Sequence, residues 1–307
     1  MNLSNPLSRA LIDSVPAFST APCCWIALSG GADSMALAHA LVQLKQAAPH
    51  HAELAWFQTM PLRAIHVHHG LSDQADAWQR HVTDYCEQWQ LPLQCVAVTV
   101  DRQGQGLEAA ARAERYRAFA AQLNSGDVLI TAHHQDDQAE TLLLNLLRGA
   151  GLRGLAAMRP QRALTNGQLL RPFLALSRRQ LVQYCQQHQL QFVDDPSNQD
   201  AYLRRSFLRQ QCLPLLRQHW PEASASLAQS AQHLAEYEAY FEQRELATLT
   251  QYQADQKHSA LPMSALNGLP NLLQRRLLAT WLRVRKAPAA PAARMTTFLQ
   301  QLQALRS

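Results

Sequence analysis

At 307 residues and 47% hydrophobic composition the chain is long enough for one large domain and a smaller one, each with a buried core. No stretch approaches the roughly eighteen apolar residues of a membrane span, and Met1-Asn2-Leu3-Ser4-Asn5 lacks the basic start and apolar core of a signal peptide. Membrane and export readings are thereby excluded, the expectation is a cytoplasmic globular protein, and a net charge of +5 points toward a polyanionic partner.

In chain order, the apolar run Cys23-Cys24-Trp25-Ile26-Ala27-Leu28 stops at Ser29-Gly30-Gly31-Ala32-Asp33-Ser34 and resumes as Met35, Leu37, Leu41 and Leu44. The period changes there from strand to helix, which predicts a loop at a strand-to-helix junction and a helix over 35–46. Further strands are predicted over 62–67, 91–98 and 128–132. Helices are predicted over 75–89 and 107–123, the second opened by the break Gly104-Gln105-Gly106. Strand and helix alternate with crossovers of helical length, so the fold class is α/β: a parallel sheet with helices on both faces. Ligands of such sheets bind beyond the carboxyl ends of the strands. That brings residues 29–34, the His68-His69-Gly70 corner and the Thr131-Ala132-His133-His134 corner to one edge.

Beyond residue 220 only helical periodicity remains. A long helix is predicted over 223–249, then a helical unit through Leu273, Leu277, Leu278, Trp281 and Leu282, and a last helix from Thr296. The expected organisation is a catalytic domain over 1–220, a connecting helix over 221–250 and a smaller all-helical domain over 251–307.

Charge is unevenly spread. From Thr141 to Pro221 the only acids are Asp194, Asp195 and Asp200, against eleven arginines, and from Gln256 onward there are no acids while Lys257, Arg275, Arg276, Arg283, Arg285, Lys286, Arg294 and Arg306 accumulate. Two separate basic surfaces suited to a phosphate backbone are expected. The six cysteines, at 23, 24, 86, 95, 185 and 212, form no Cys-x-x-Cys pair and have no His partner at metal spacing, so they are read as reduced core thiols.

The loop at 29–34 carries the first chemistry. Adjacent glycines let a backbone approach a ligand closely, Ser29 and Ser34 offer hydroxyls, and the amides at the helix start sit at the positive end of its dipole, which together make an anion site. Asp33 would repel phosphates by itself, so its expected role is to cap the helix or to hold a cation such as magnesium. The string Ser-Gly-Gly-x-Asp-Ser resembles the loop of the N-type ATP pyrophosphatases, the PP-loop enzymes of adenine nucleotide alpha hydrolase-like fold, which split ATP between its α- and β-phosphates.

The second motif is Thr131-Ala132-His133-His134-Gln135-Asp136-Asp137-Gln138-Ala139-Glu140-Thr141, leading to Leu147-Arg148-Gly149. Helical throughout, it would set His133, Asp137 and Glu140 on one face. This string is similar to that of the tRNA(Ile)-lysidine synthetases. Two further segments resemble the same family: the helix Leu107-Glu108-Ala109-Ala110-Ala111-Arg112-Ala113-Glu114-Arg115-Tyr116-Arg117, and Asp195-Pro196-Ser197-Asn198 followed by Arg205 and Arg209. The likeness runs from about residue 23 to 220 and is looser across the helical tail. Ser206 stands where the family usually has asparagine, Ala150 where serine is common, and many members carry a further C-terminal domain.

The resemblance implies two steps. ATP adenylylates the base carbonyl oxygen of a wobble cytidine in an isoleucine tRNA with a CAU anticodon, and the ε-amine of free L-lysine then displaces AMP. It further implies that Ser29, Gly30, Gly31, Ala32, Asp33 and Ser34 hold the phosphates, with Mg2+ on Asp33, and that Arg112 and His133 face the α-phosphate. Arg205 would lie near the activated base, and Asp137 and Glu140 would bind the lysine ammonium and accept its proton. Partners are then ATP, the tRNA and lysine, with no membrane and with room for an oligomer. The rivals are a tRNA thiolase of the same superfamily, which needs Cys-x-x-Cys pairs that this chain lacks, an amidating synthetase such as NAD synthetase, and an RNA-binding module with a vestigial nucleotide site.

Overall fold

The computed structural model describes residues 5–70, 72–100, 107–193, 204–252, 260–288 and 290–304; Gly104-Gln105-Gly106 and Asp195-Pro196-Ser197-Asn198 lie outside the described residues. The chain divides into two compact units, Met1–Gln232 and His233–Ser307.

The first unit is built on six strands: β1 (Cys24–Ala27), β2 (Leu62–His68), β3 (Leu93–Ala97), β4 (Val128–Ile130), β5 (Gln161–Leu164) and β6 (Gly167–Leu170). Their order is β3-β2-β1-β4-β6-β5, and every neighbouring pair is parallel except β5 with β6. The helices around them are α1 (Pro6–Asp13), α2 (Ala32–Ala47), α3 (Ala55–Thr59), α4 (Ala75–Gln88), α5 (Leu107–Gln122), α6 (Gln135–Leu147), α7 (Leu152–Leu155), α8 (Arg178–Gln187), α9 (Arg204–Phe207) and α10 (Leu213–His219). From β1 the chain steps outward to β2 and β3, then returns to lay β4 on the other flank of β1. The topological switch therefore falls between β1 and β4, and the loops that follow these two strands open side by side.

Strand periodicity sorts the core. Cys24 and Ile26 of β1, and Val128 and Ile130 of β4, join a cluster with Met35, Leu37 and Leu41 of α2, Val82 of α4 and Leu181 of α8. Trp25 and Leu129, one residue out of phase, face the other way into a cluster with Phe119 and Leu123 of the α5 region. Helices thus cover both faces, as the alternating pattern predicts.

The predicted string lacks several of these elements, among them α1, α3, α7, α9 and α10. The β5–β6 hairpin and α8 were not foreseen, and α6 begins at Gln135, so His133 is not part of it. The hairpin strands are short and β5 is largely exposed, which leaves little apolar alternation to read. Its turn is nevertheless signalled by Asn166-Gly167. Gly167 is required for space, since a Cβ there would lie 2.3 Å from the Asp127 carbonyl oxygen.

The second unit begins within the long helix α11 (Ala223–Tyr252), which the boundary after Gln232 divides. With α12 (Asn271–Val284) and α13 (Ala292–Ala304), whose start precedes the predicted Thr296, it encloses Leu249, Ala265, Leu266, Leu277, Leu278 and Leu299. Two of its arginines are spent internally. Arg276 bonds Glu245 at 2.6 Å and Glu238 at 2.9 Å, and Arg283 lies 2.7 Å from Glu242. The expected basic surface is correspondingly smaller, with Arg285, Lys286 and Arg294 exposed. Among the described residues no helix is long and apolar enough to cross a membrane.

One buried polar pair gives the first unit a pH signature. His39 of α2 is 8% exposed, its Nδ1 lies 2.9 Å from the Tyr184 hydroxyl, and the rings of Trp89 and His188 pack against it. Burial, with the charge of His188, lowers its pKa to about 4. The unfolded chain therefore takes up a proton that the folded one refuses, and stability falls as pH drops from about 6.5 toward 4. Urea titrations across that window should show His39→Gln flattening the dependence by on the order of 2 kcal/mol; an unchanged slope would assign it to other groups.

Candidate active site

The loop after β1 folds on its own hydroxyls. Ser29 and Ser34 Oγ atoms lie 3.0 Å apart, the Ser29 amide donates to Ser34 Oγ at 3.1 Å, and Ser34 Oγ donates to the Gly31 carbonyl at 3.0 Å. These bonds fix the turn while leaving the first-turn amides of α2, at Ala32, Asp33 and Ser34, without an intrahelical carbonyl to bond. Gly30 takes φ +91°, a left-handed conformation that a side chain disfavours, and its carbonyl accepts the Val193 amide at 3.0 Å.

A cavity of about 600 Å³ opens over this loop. Ser29, Gly31, Ala32, Asp33, Ser34, Arg112, His133, Asp137 and Arg205 all line it, as do the His68-His69-Gly70 and Thr131-Ala132 corners. The parallel sheet thus gathers residues from the ends of β1, β2 and β4, with Arg112 from α5. Two predicted residues stand apart from its wall: Gly30, whose backbone is turned to Val193, and Glu140, which is wholly buried behind it.

His133 precedes α6, and its Nδ1 lies 2.8 Å from Thr131 Oγ1. Burial, reinforced by Arg171, Arg112 and Arg205 against the pull of Asp137, lowers its pKa to about 3, so it is a neutral imidazole at the cavity wall. His134 is the N-cap of α6. Its side chain accepts the Asp136 amide while Asp137 accepts the amide of His134, a capping box at the spacing His134 to Asp137. Its Nε2 lies 3.4 Å from Asp33 and 3.5 Å from Asp137. Burial would lower this histidine, but Asp137 and Asp33 pull it up; with Nδ1 accepting the Asp136 amide the ring proton sits on Nε2, and that N–H, between Asp33 and Asp137, ties the phosphate loop to α6.

Asp137 and Glu140, one turn apart on α6, meet two arginines. Arg205 donates to Glu140 at 2.6 Å and to Asp137 at 2.9 Å; Arg209 donates to Glu140 at 2.6 and 3.1 Å and to Asp137 at 3.2 Å. The other Asp137 oxygen accepts the His134 amide. All four carboxylate oxygens are engaged by neighbouring groups of the chain itself. Burial would raise Asp137, but His134, Arg205, His133 and Arg209 hold it well below the usual carboxylate range, so it is a weak proton acceptor. Asp33 differs, because its Oδ1 is shielded from solvent and has no hydrogen-bond partner.

The arginines reach Glu140 through an unusual backbone. Between α9 and α10, residues Leu208–Cys212 form a π-helical turn, in which the Leu213 amide bonds the Leu208 carbonyl five residues back. Pro214 follows and has no amide to bond Gln210, which favours the wider turn. Arg209 was quoted in the sequence motif without a role, and neither His134 nor Tyr116 was assigned one. The capping-box spacing was the signal available for His134.

Geometry and topology together define a PP-loop protein, and the PP-loop domain model matches residues 4–216: the chain belongs to that family. Among the relatives it resembles are tRNA(Ile)-lysidine synthases from Xanthomonas axonopodis pv. citri (44% identical over 90% of this chain and 60% of that one), Serratia proteamaculans (48% over 81% and 53%) and Pseudomonas putida (50% over 70% and 48%). The chain spans about half to three-fifths of the length of these relatives. The fold is also that of the U34-tRNA thiolase NcsA from Methanococcus maripaludis, at TM-score 0.58 and 15% identity over 75% of this chain and 78% of that one.

Removing one guanidinium from a carboxylate with no exposure should be costly. Arg209→Ala is expected to lower the unfolding free energy by about 2 kcal/mol, less than for a fully sealed pair because Arg209 is 32% exposed. Arg209→Lys, lacking the planar fork, should recover only part of that in urea titration.

Proposed function

We propose that the chain carries the catalytic centre of a tRNA(Ile)-lysidine synthase, joining free L-lysine to the wobble cytidine of a CAU-anticodon isoleucine tRNA through an adenylylated cytidine. The observation that carries this reading is the convergence, on one cavity, of a phosphate loop with a free carboxylate oxygen, a neutral histidine at the end of β4, Arg112 of α5, and Asp137, Arg205 and Arg209 with Glu140 buried behind them. The similarity to lysidine synthases over 70–90% of the chain supports this choice among PP-loop chemistries.

ATP would lay its phosphates on the amides of residues 29–34, where helix-start donors stabilise the charge that grows as pyrophosphate leaves. Arg112 and neutral His133 would face the α-phosphate, the first as a charged donor and the second as a hydrogen-bonding imidazole. The unpartnered Asp33 Oδ1 suits a hard cation, so Asp33 would hold Mg2+, which when bound would supply positive charge against that of the departing pyrophosphate. Among the described residues no three His, Cys, Asp or Glu side chains converge on a metal position.

Lysine must then reach a carboxylate pair already occupied by guanidiniums. Arg209, 32% exposed against 20% for Arg205, is the one whose displacement would admit the ammonium to Asp137 and Glu140. The exposed basic residues of the second unit would add phosphate contacts to the tRNA.

Incubation with ATP, labelled lysine and the CAU-anticodon tRNA should give lysine-modified RNA and pyrophosphate; sulfur transfer or unmodified RNA would sink the reading. Asp33→Asn should cut tRNA-dependent pyrophosphate release by about a hundredfold without loss of fold. For the triple reversal of Arg285, Lys286 and Arg294 to glutamate, tRNA affinity should drop and its salt dependence flatten, by up to about three units of slope. An unchanged slope would remove this surface from RNA binding.

A further inference from the structure

Beside the cavity, three guanidiniums gather around one phenol. Arg112 and Tyr116 are four residues apart on α5 and so share a face. Arg112 Cζ lies 5.0 Å from the Tyr116 ring centroid, and Nη2 lies 3.4 Å from the hydroxyl. Arg162, on β5, brings its Cζ to 4.7 Å from the same ring. Arg171, directly after β6, is 4% exposed, donates to the Arg159 carbonyl at 2.7 Å and lies beside the Tyr116 hydroxyl. Tyr116 itself lines the cavity next to Arg112.

Arg112, Arg162 and Arg171 are like charges gathered around one ring, and they repel one another across this small volume. The ring's π-face and hydroxyl oxygen offset part of that repulsion and leave a positive potential at the carboxyl ends of β4 and β6. Burial alone would push the Tyr116 hydroxyl up, yet Arg112, Arg171 and Arg162 together pull it down, a measure of how concentrated the charge is. An arginine side chain on a helix has many rotamers to lose when it grips a phosphate. A ring beneath the guanidinium removes much of that freedom beforehand.

We infer that Tyr116 is a positioning residue: its ring holds the Arg112 guanidinium toward the nucleotide phosphates, and the β5–β6 hairpin, through Arg162 and Arg171, fixes the ring. The inference rests on the reading of the cavity as a nucleotide site. It also gives the hairpin, the one antiparallel element of the sheet, a part in phosphate recognition although neither Arg162 nor Arg171 lines the cavity.

The test is a double-mutant cycle on the full chain, with dissociation constants for the unreactive analogue α,β-methylene-ATP and Mg2+ measured by calorimetry. Arg112→Ala and Tyr116→Leu should each weaken binding by about tenfold, and the double variant should be no weaker than Arg112→Ala alone, because contacting residues do not add. Tyr116→Phe, which keeps the ring, should stay within about threefold of the unmodified chain. Multiplied losses in the double variant, or Tyr116→Leu binding as tightly as the unmodified chain, would overturn the positioning role. Equal loss in Tyr116→Phe and Tyr116→Leu would also overturn it, since the ring would then not be the platform. If Tyr116→Leu does not fold, Tyr116→Met takes its place with the same expectations. Failure of the unmodified chain to bind the analogue is a different result, and overturns the nucleotide reading together with the inference built on it.

Discussion

The two guanidiniums of Arg205 and Arg209 set against the carboxylates of Asp137 and Glu140 fix much of the site. Each charge alone would be expensive to bury, that of Glu140, at zero exposure, most of all. As a set of two positive and two negative groups, linked by charge-assisted bonds of 2.6 to 3.2 Å, they stitch α6 to the segment formed by α9 and the π-helical turn after it. Because α6 springs from β4, the same bonds hold that segment over the carboxyl end of the sheet.

A second charged link runs at right angles to the first in function. The Nε2–H of His134 sits between Asp33 and Asp137, so the loop that would receive phosphates and the helix that carries the carboxylates share one proton-bearing group. The phosphate end of the cavity and the acid–arginine end are therefore parts of one electrostatic system. A change in charge at either end is felt at the other through a group with almost no access to water to screen it.

The parallel sheet and the gathering of the 29–34 loop with the 68–70 and 131–133 corners were legible because they follow from period changes and from the rule that parallel strands end together. The β5–β6 hairpin was not legible as core. Its strands are short and β5 is largely exposed, and its significance comes from Arg162 and Arg171, whose partner Tyr116 is distant in sequence. Asp137 and Glu140 were found as a pair of acids, but their pairing with Arg205 and Arg209 depends on how the chain after α8 returns, which spacing does not reveal. The tail was misjudged for a related reason. Arg276 and Arg283 look like surface charge in an acid-free stretch, yet Glu238, Glu245 and Glu242 reach them from α11, so local charge counting overstated the free positive surface.

The π-helical turn at Leu208–Cys212 makes chain length itself a functional variable here. An ordinary helix can absorb many substitutions, but its angular bookkeeping changes by about 100° with each residue gained or lost. Shortening this turn by one residue would restore regular α-helical bonding and improve the local backbone. It would also swing the residues on one side of the turn relative to the other, parting Arg209 from Arg205 as a joint grip on Glu140 or parting both from the packing of α10. A partly exposed segment is thus barred from the insertions and deletions that surface chain normally tolerates. Homologous chains should vary in side chains across this turn far more freely than in its number of residues.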